Sequence, residues 1–539
     1  MGTKVHNNYE DLITFTRASG GHALRPVSYG TELVTNGTFD SDTTGWASGG
    51  GANPTVSVSS GQAVVTATQT GSIVFEQTTT EFEVGKLYQI KVDVVTTTDS
   101  ISVFNKASSS IDISALSTGT NVINYVATEA GYLRIGNVGA VFSTGEGFTV
   151  DNISVKEVTL DESDGTLTLF EHPDSIPRVE YDADGNRLGL LVEEARTNQF
   201  PYSLLLTGQW SKSEASLSAN QATAPDGTMT ASEMIPTASA DQSFLNLNRS
   251  VTSGTTYTQS IFVKQKDTSW FQIAPSTGFA ASYQNFNIAT GSLGSGDVTS
   301  NDGSASIQNV GNGWYRCSVT MPCNATESGG RMVFVYMTGD DGRINTDGTS
   351  TPDGTEGVYV WGAQLEEGSF PTSYIKTTGS SATRSADVAS IPVADFGYNQ
   401  SEGTVFVEAQ ANSNSTNFPR FVDFRQDTSN GWEVIGDTGS DVRMFASNNG
   451  VDVNEDVIAN VLDGSTMFKI AFAKAENDAA ASGDGGAVVT DTSNGQSTGI
   501  VNLNIGSSRG VGQFANGHIK SIKYYPRRLT NAQLQDLTS

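Results

Sequence analysis

At 539 residues the chain is too long for a single hydrophobic core, which stops growing at roughly 250 to 300 residues. Its 58 acidic against 30 basic side chains give a formal charge of −28, which repels a phosphate backbone and argues against a nucleic-acid partner. No stretch approaches the roughly 18 apolar residues of a membrane span, so no membrane insertion is expected, and the opening MGTKVHNNYEDLITF lacks the charged and apolar regions of a signal peptide. An extracellular role would therefore need release by a route other than a cleaved signal, such as cell lysis. The acidic excess reads as a solvated surface, with weak calcium affinity as the functional alternative.

Apolar residues, 37% of the chain, fall in short alternating runs bounded by Gly, Ser, Asp and Thr. A period of two predicts strands and an all-β fold, here three antiparallel β-sandwiches joined by a small β anchoring segment. Residues 1–30 are too short for a core and are expected to anchor by pairing with residues 160–200, which would place Phe15 near Val179 and Tyr181. Residues 31–158 make the first sandwich, opening at Leu33 to Trp46 and closing at Gly147 to Val158; because its flanks pair, it reads as inserted between them. Residues 159–200 form a β-hairpin connector that turns at Asp184-Gly185. Residues 201–378 make the second sandwich and repeat the plan of the first: Gly85 and Tyr88 correspond to Gly254 and Tyr257, and Gly147 to Val150 correspond to Gly357 to Val360. Residues 379–394 read as a polar linker, and residues 395–539 as the third sandwich, with strands from Gly403, Phe421, Met467 and Val501. Thr530 and Gln533 stand at capping-box spacing for a closing helical turn that carries Leu534 and Leu537.

Catalytic patterns are missing. The four histidines, His6, His22, His172 and His518, stand at neither metal-ligand nor triad spacing, and no nucleophile elbow, zinc helix or phosphate loop occurs. Glycan cleavage needs two carboxylates roughly 5 to 10 Å apart. Glu180-Tyr181-Asp182 approaches a glycanase strand, but Gly185 stands where a second Glu belongs. Asp182, Asp184 and Asn186, with Glu193 at the twelfth position, suggest a calcium loop, yet Arg187 occupies its obligatory glycine, so the hairpin reading prevails. Cys317 and Cys323 match neither a disulfide framework nor a zinc pattern. The expectation is a protein that is not an enzyme and requires no cofactor. Sugar rings are held by aromatic faces, and among the tryptophans Trp270, beside Lys266-Asp267-Thr268, and Trp432, after Ser429-Asn430-Gly431, are placed for exposure; packing is the competing reading for both.

The ordered words Phe15-Thr16-Arg17-Ala18-Ser19, Pro177-Arg178-Val179-Glu180-Tyr181-Asp182, Gly189 to Asn198, Gln364 to Gly368, Pro371 to Ile375 and Thr383-Arg384-Ser385-Ala386-Asp387 resemble a module of tailed-phage virion structural proteins. Residues 31–158 resemble carbohydrate-binding modules, through Asn36 to Asp40, Trp46 and Val150-Asp151-Asn152. Residues 395–539 are similar to concanavalin-like or laminin-G-like domains, through Asn504-Ile505-Gly506 and the segment Gly517 to Leu537. These resemblances imply jelly-roll sandwiches followed by a concanavalin-like one, in a fibre, spike or decoration protein of the virion. They imply other virion proteins as partners through the N-terminal segment, host cell-surface polysaccharide as a further partner, and a homo-oligomer, with a trimer favoured. A purely architectural cement protein is the alternative, and a polysaccharide depolymerase the second. Asp40 and Asp151 carry two readings: ligands of a structural calcium, as in the modules they resemble, or turn-capping aspartates.

Overall fold

The computed structural model describes residues 13–106, 110–137, 141–205, 210–238, 243–340, 342–343, 352–411, 418–436, 441–448, 451–458, 466–492, 497, 499–510 and 512–539. The chain divides into two compact units, Pro26–Thr166 and Met1–Arg25 with Leu167–Ser539. Both are built from antiparallel sheets, and the protein is all-β.

In the unit Pro26–Thr166, the strands Gly119–Val126, Leu87–Thr97 and Gly147–Leu160, with the part of Gly21–Glu32 beyond Arg25, form one sheet; Thr55–Ser59 and Gln62–Thr66 join it through Gly147–Leu160. The other sheet orders Ala47–Gly49, Val74–Phe82, Gly131–Gly136, Ile101–Lys106 and Ser110–Leu116. Alternation along Leu87–Thr97 sends Tyr88, Ile90, Val92 and Val94 into a core with Phe39, Phe75, Phe82 and Ile135. Gly147 is required where the closing strand meets its neighbour, since a Cβ there would fall 1.9 Å from the Val65 carbonyl oxygen.

The other unit holds two sandwiches. In the first, the sheet Ser211–Ser213, Phe244–Val251, Glu327–Met337, Trp270–Ile273, Gln284–Asn287, Ser292–Gly296 faces the sheet Ala215–Ala222, Ala231–Pro236, Val358–Glu367, Thr256–Gln265, Trp314–Pro322, Ser304–Asn309. Tyr257, Ile261, Phe271, Ile273, Phe334 and Leu365 fill the space between, and Cys317 and Cys323 are free and buried in it. Gln259 points into the same core at 2% exposure, and neither its amide nitrogen nor its oxygen is hydrogen-bonded among the described residues. An unsatisfied buried polar group costs about 1–3 kcal/mol, so Gln259→Met, which keeps the length without the amide, is expected to raise the urea midpoint by an equivalent amount. A lower midpoint would show that the amide is satisfied in solution.

In the second sandwich, seven strands run in the order Thr14–Thr16, Val388–Pro392, Asn502–Ile505, Arg420–Arg425, Gly431–Gly436, Val442–Asn448, Val451–Ile458. Seven more form the opposing sheet: Val179–Tyr181, Arg187–Val192, Gly517–Tyr525, Gly403–Ala411, Phe468–Ala475, Asp478–Gly483, Val489–Asp491. The helix Asn531–Thr538 closes it with the expected capping box: the Gln533 amide donates to Thr530 Oγ1 at 3.3 Å, and the Thr530 amide to Gln533 Oε1 at 3.0 Å. Leu534 is buried against Phe406 and Leu529.

Three expectations about the flanking segments are corrected. Phe15 pairs with Ala389, not with the Val179–Tyr181 hairpin, because Thr14–Thr16 caps the edge of the C-terminal sandwich and puts Phe15 into its core. Residues 1–30 do pair with 160–200 as expected: the strand Gly21–Glu32 is hydrogen-bonded to Thr166–His172 in one sheet, and Arg17 donates to the carbonyls of Pro173 at 2.8 Å and Ile176 at 3.3 Å. The hairpin is no free connector: Asp182 Oδ1 accepts from the Asp184 and Asn186 amides across the Gly185 turn, and Leu190 then pairs with Ile519, adding both strands to the C-terminal sheet. Residues 379–394 are not a linker, since Ala382–Arg384 pairs with Arg196–Asn198 and Val388–Pro392 lies inside a seven-stranded sheet. That segment is polar because its Arg384 and Asp387 are buried against partner charges rather than exposed.

Candidate functional site

Trp432 is not a surface residue. It is 1% exposed, stacks on Phe424 with centroids 4.1 Å apart, and donates its Nε1 proton to Tyr398 Oη at 2.7 Å, so it belongs to the C-terminal core. Trp46 is half-buried, packs against the core of the unit Pro26–Thr166 and stacks on Phe75 at 4.5 Å. Asp40 is exposed and accepts from Thr38 Oγ1 at 3.0 Å; Asp151 accepts from the next amide, that of Asn152, at 2.7 Å. The fold brings the loop before Asp40 to the closing strand, where the Ile153 amide donates to the Gly37 carbonyl at 2.9 Å. Among the described residues no group of three or more His, Cys, Asp or Glu is placed to hold a metal ion.

Trp270 is half-buried on the outward face of the first sandwich of its unit. Phe271 and Ile273 take the core side of that strand, so the alternation turns Trp270 and Gln272 outward. There Trp270 packs with half-buried Phe244 and Tyr283 over Val333, Val335 and Met337. Beside this aromatic patch runs a polar row: Gln272 Nε2 donates to Asn285 Oδ1 at 2.7 Å, and Asn285 Nδ2 donates to Asp340 Oδ1 at 3.0 Å. Asp340 Oδ1 also accepts from the Ser295 amide at 2.7 Å. Indole and carboxylate meet over Gly294, where a Cβ would fall 2.5 Å from Trp270 Cζ3 and 2.6 Å from Asp340 Oδ1. Gln272 and Asn285 are themselves buried, so they fix Asp340, the exposed member of the row, from beneath. An aromatic surface edged by a fixed carboxylate is chemistry that can hold a sugar ring, apolar on its face and polar on its rim.

A cleft of about 370 Å³ opens in the same sandwich, lined by Lys264, Lys266, Ile288, Ala289, Gly313 and Tyr315 among others. Ile288 and Ala289 follow Asn287, the cross-strand partner of Trp270. Sequence reasoning passed over Lys264, Tyr315 and Asp340. The available signal was Lys264-Gln265-Lys266, two cations ending an apolar strand in a chain poor in basic residues.

The motif residues of the flanking segments converge elsewhere, on one buried charged joint. Arg17 Nη1 lies 3.2 Å from Asp387 Oδ1, Arg178 Nη2 contacts Asp387 Oδ2 and lies 2.9 Å from Glu193 Oε2, and Arg384 Nη2 lies 3.4 Å from Glu193 Oε2. Ser373 donates to Glu193 through its amide at 2.8 Å and its hydroxyl at 2.6 Å. Burial pushes the Glu193 carboxyl up, but Arg384, Arg178 and the Ser373 bonds outweigh it and hold the group well below the usual carboxylate range. Burial, then Arg178, lowers Arg17 to about 10. Burial, with Arg25, Arg17 and Arg178 nearby, keeps the His172 imidazole neutral well below its ordinary pKa. The joint is sealed, and its work is architectural.

The fold and these surfaces define a multidomain β-sandwich protein. No protein-family model matches the sequence, and no curated protein matches it. Among solved structures, the chain is similar to the CBM40 domain of a Ruminococcus gnavus IT-sialidase, bound there to α2,3-sialyllactose, at 16% identity over 26% of this chain and 84% of that one, with a TM-score of 0.23. It is also similar to the CBM22-1–CBM22-2 tandem domain of Paenibacillus barcinonensis Xyn10C, at 12% identity over 63% and 98% with a TM-score of 0.21, and to domains LG4-5 of the mouse laminin α1 chain, at 9% identity over 55% and 89% with a TM-score of 0.21. At such identities and scores, function has to be argued from the residues of this chain.

Proposed function

We propose that the protein is a non-enzymatic structural protein of a phage particle, of fibre, spike or decoration type, that binds host-surface glycan through the Trp270 face. The observation that carries the glycan reading is the half-exposed Phe244, Trp270 and Tyr283 patch bordered by exposed Asp340, which the buried Asn285 amide holds at 3.0 Å. The virion reading is supported by the way the ordered motif words build one structural joint, as a single module would. That joint is internal, which also favours the second reading: a cement protein that binds no sugar.

A glycan array separates the two. Specific hits on host polysaccharide are expected for the wild-type chain, with a loss of about tenfold or more in Trp270→Ala, since removing a stacked aromatic face forfeits on the order of 1.5 kcal/mol. An array without hits leaves the cement reading. Release of new reducing ends from that polysaccharide would overturn the non-enzymatic part, and a particle reconstruction without matching density would overturn the virion assignment.

A further inference from the structure

The sandwich of the unit Pro26–Thr166 and the first sandwich of the other unit are built on one strand plan. Leu87–Thr97 lies between Gly147–Leu160 and Gly119–Val126, as Thr256–Gln265 lies between Val358–Glu367 and Trp314–Pro322. Tyr88 and Tyr257 hold equivalent hydroxyls, accepting from the Glu83 amide at 2.9 Å and from the Thr252 amide at 3.1 Å. Ala127-Thr128-Glu129 follows Gly119–Val126, and Ala325-Thr326-Glu327 follows Trp314–Pro322. The plans differ at one edge. Ser304–Asn309 covers Trp314–Pro322 in antiparallel register, from Ser304 opposite Thr320 to Asn309 opposite Tyr315. Gly119–Val126 ends its sheet, and among the described residues no strand pairs with its other side.

A strand at a sheet edge offers backbone N–H and C=O groups to any strand that reaches it, and such edges are usually guarded by charge, proline or a bulge. Gly119–Val126 has none of these guards. It pairs with Leu87–Thr97 through all eight residues without a register shift. Ser117 to Thr128 contains neither a charged residue nor a proline, in a chain that is 16% charged. Ile123 and Tyr125 pack toward the core, opposite Ile90 and Tyr88, so Val122 and Asn124 take the outward face of the strand. Val122, Ile123, Tyr125 and Val126 are strong strand formers.

We infer that Gly119–Val126 is a self-association edge, on which the same strand of a second copy docks antiparallel about a two-fold axis and joins the two sheets into one. Two chains of charge −28 repel each other, so a stable pair needs a contact without opposed carboxylates, and this strand paired with itself supplies one. Outward residues stay opposite outward ones when the axis passes at Val122 or Ile123, which brings the two copies of Val122 within about 8 Å of each other. Such pairing makes a dimer, not the trimer that the phage resemblance implies.

The test is sedimentation velocity of the full chain from dilute to concentrated solution, with amide hydrogen exchange read at both ends. A concentration-dependent dimer is expected, and the amides of Gly119–Val126 slow as it forms. Val122→Glu stands opposite Lys91 in its own sheet, so a single chain accommodates it, while at the two-fold axis it sets two carboxylates against each other. It is expected to weaken the dimer about tenfold or more, whereas Val122→Thr, β-branched and uncharged, keeps it. Should Val122→Glu fail to fold, the exchange of the wild-type amides decides. A chain that stays monomeric, a trimer, a dimer that Val122→Glu leaves intact, or one that forms without slowing those amides overturns the inference.

Discussion

Asp387→Ala is expected to be the most damaging single substitution away from the sandwich cores, lowering stability by about 3–5 kcal/mol. Asp387 is 0% exposed and lies between the guanidinium groups of Arg17 and Arg178, while also accepting from the Glu193 amide at 2.9 Å. Removing it leaves three buried arginines, Arg17, Arg178 and Arg384, facing the single carboxylate of Glu193. Neither water nor another acid replaces the lost charge in a sealed site, so the penalty is that of an uncompensated buried cation. The chain holds several cores, so its unfolding is not a single two-state event. The readouts are therefore a lower midpoint for the transition that moves, and faster hydrogen exchange at the Arg196–Asn198 and Ala382–Arg384 pair that the joint holds together. A shift below about 1 kcal/mol would mean that the joint is hydrated and its ion pairs contribute as surface pairs do.

The second large effect has the opposite sign. Lys474 is 3% exposed in the C-terminal core, its Nζ has no hydrogen-bond partner among the described residues, and it lies 5.2 Å from the centroid of the Trp432 ring. Burial lowers its pKa to about 8. Below that value the amine is protonated in both the folded and unfolded states, and the folded state bears the full penalty of a buried charge. Between pH 8 and roughly 10.4, the unfolded chain still holds the proton that the folded chain has released, so stability rises with pH across this window. Lys474→Met removes the charge while keeping the stem that packs on Trp432. It is expected to raise stability at pH 7 by about 3 kcal/mol and to abolish the rise between pH 8 and 10. The comparison ends near pH 10, because burial raises the neighbouring Tyr398 and Tyr524 hydroxyls and their titration reverses the slope above it. A variant no more stable than wild type would mean that the amine reaches an acceptor in solution.

What the sequence determined by itself was local. Alternation of period two along Leu87–Thr97 and Gly403–Ala411, the Asp184-Gly185 turn and the Thr530–Gln533 capping box each depend on residues within a few positions of one another, so their physics is written in the neighbouring letters. Trp432 shows where that stops: its polar flank Ser429-Asn430-Gly431 suggests exposure, but Phe424 and Tyr398 cover it in the folded chain. Phe15 pairs with Ala389, and Arg17 with Asp387, across most of the chain length. The same holds for the candidate site. Trp270 was legible as an aromatic residue beside a turn, whereas Asp340 and Gly294 came into view only once the strands were set side by side. Burial and charge pairing belong to contacts between distant segments, and only the tertiary structure decides which of two chemically similar residues is sealed in a core and which is left facing a ligand.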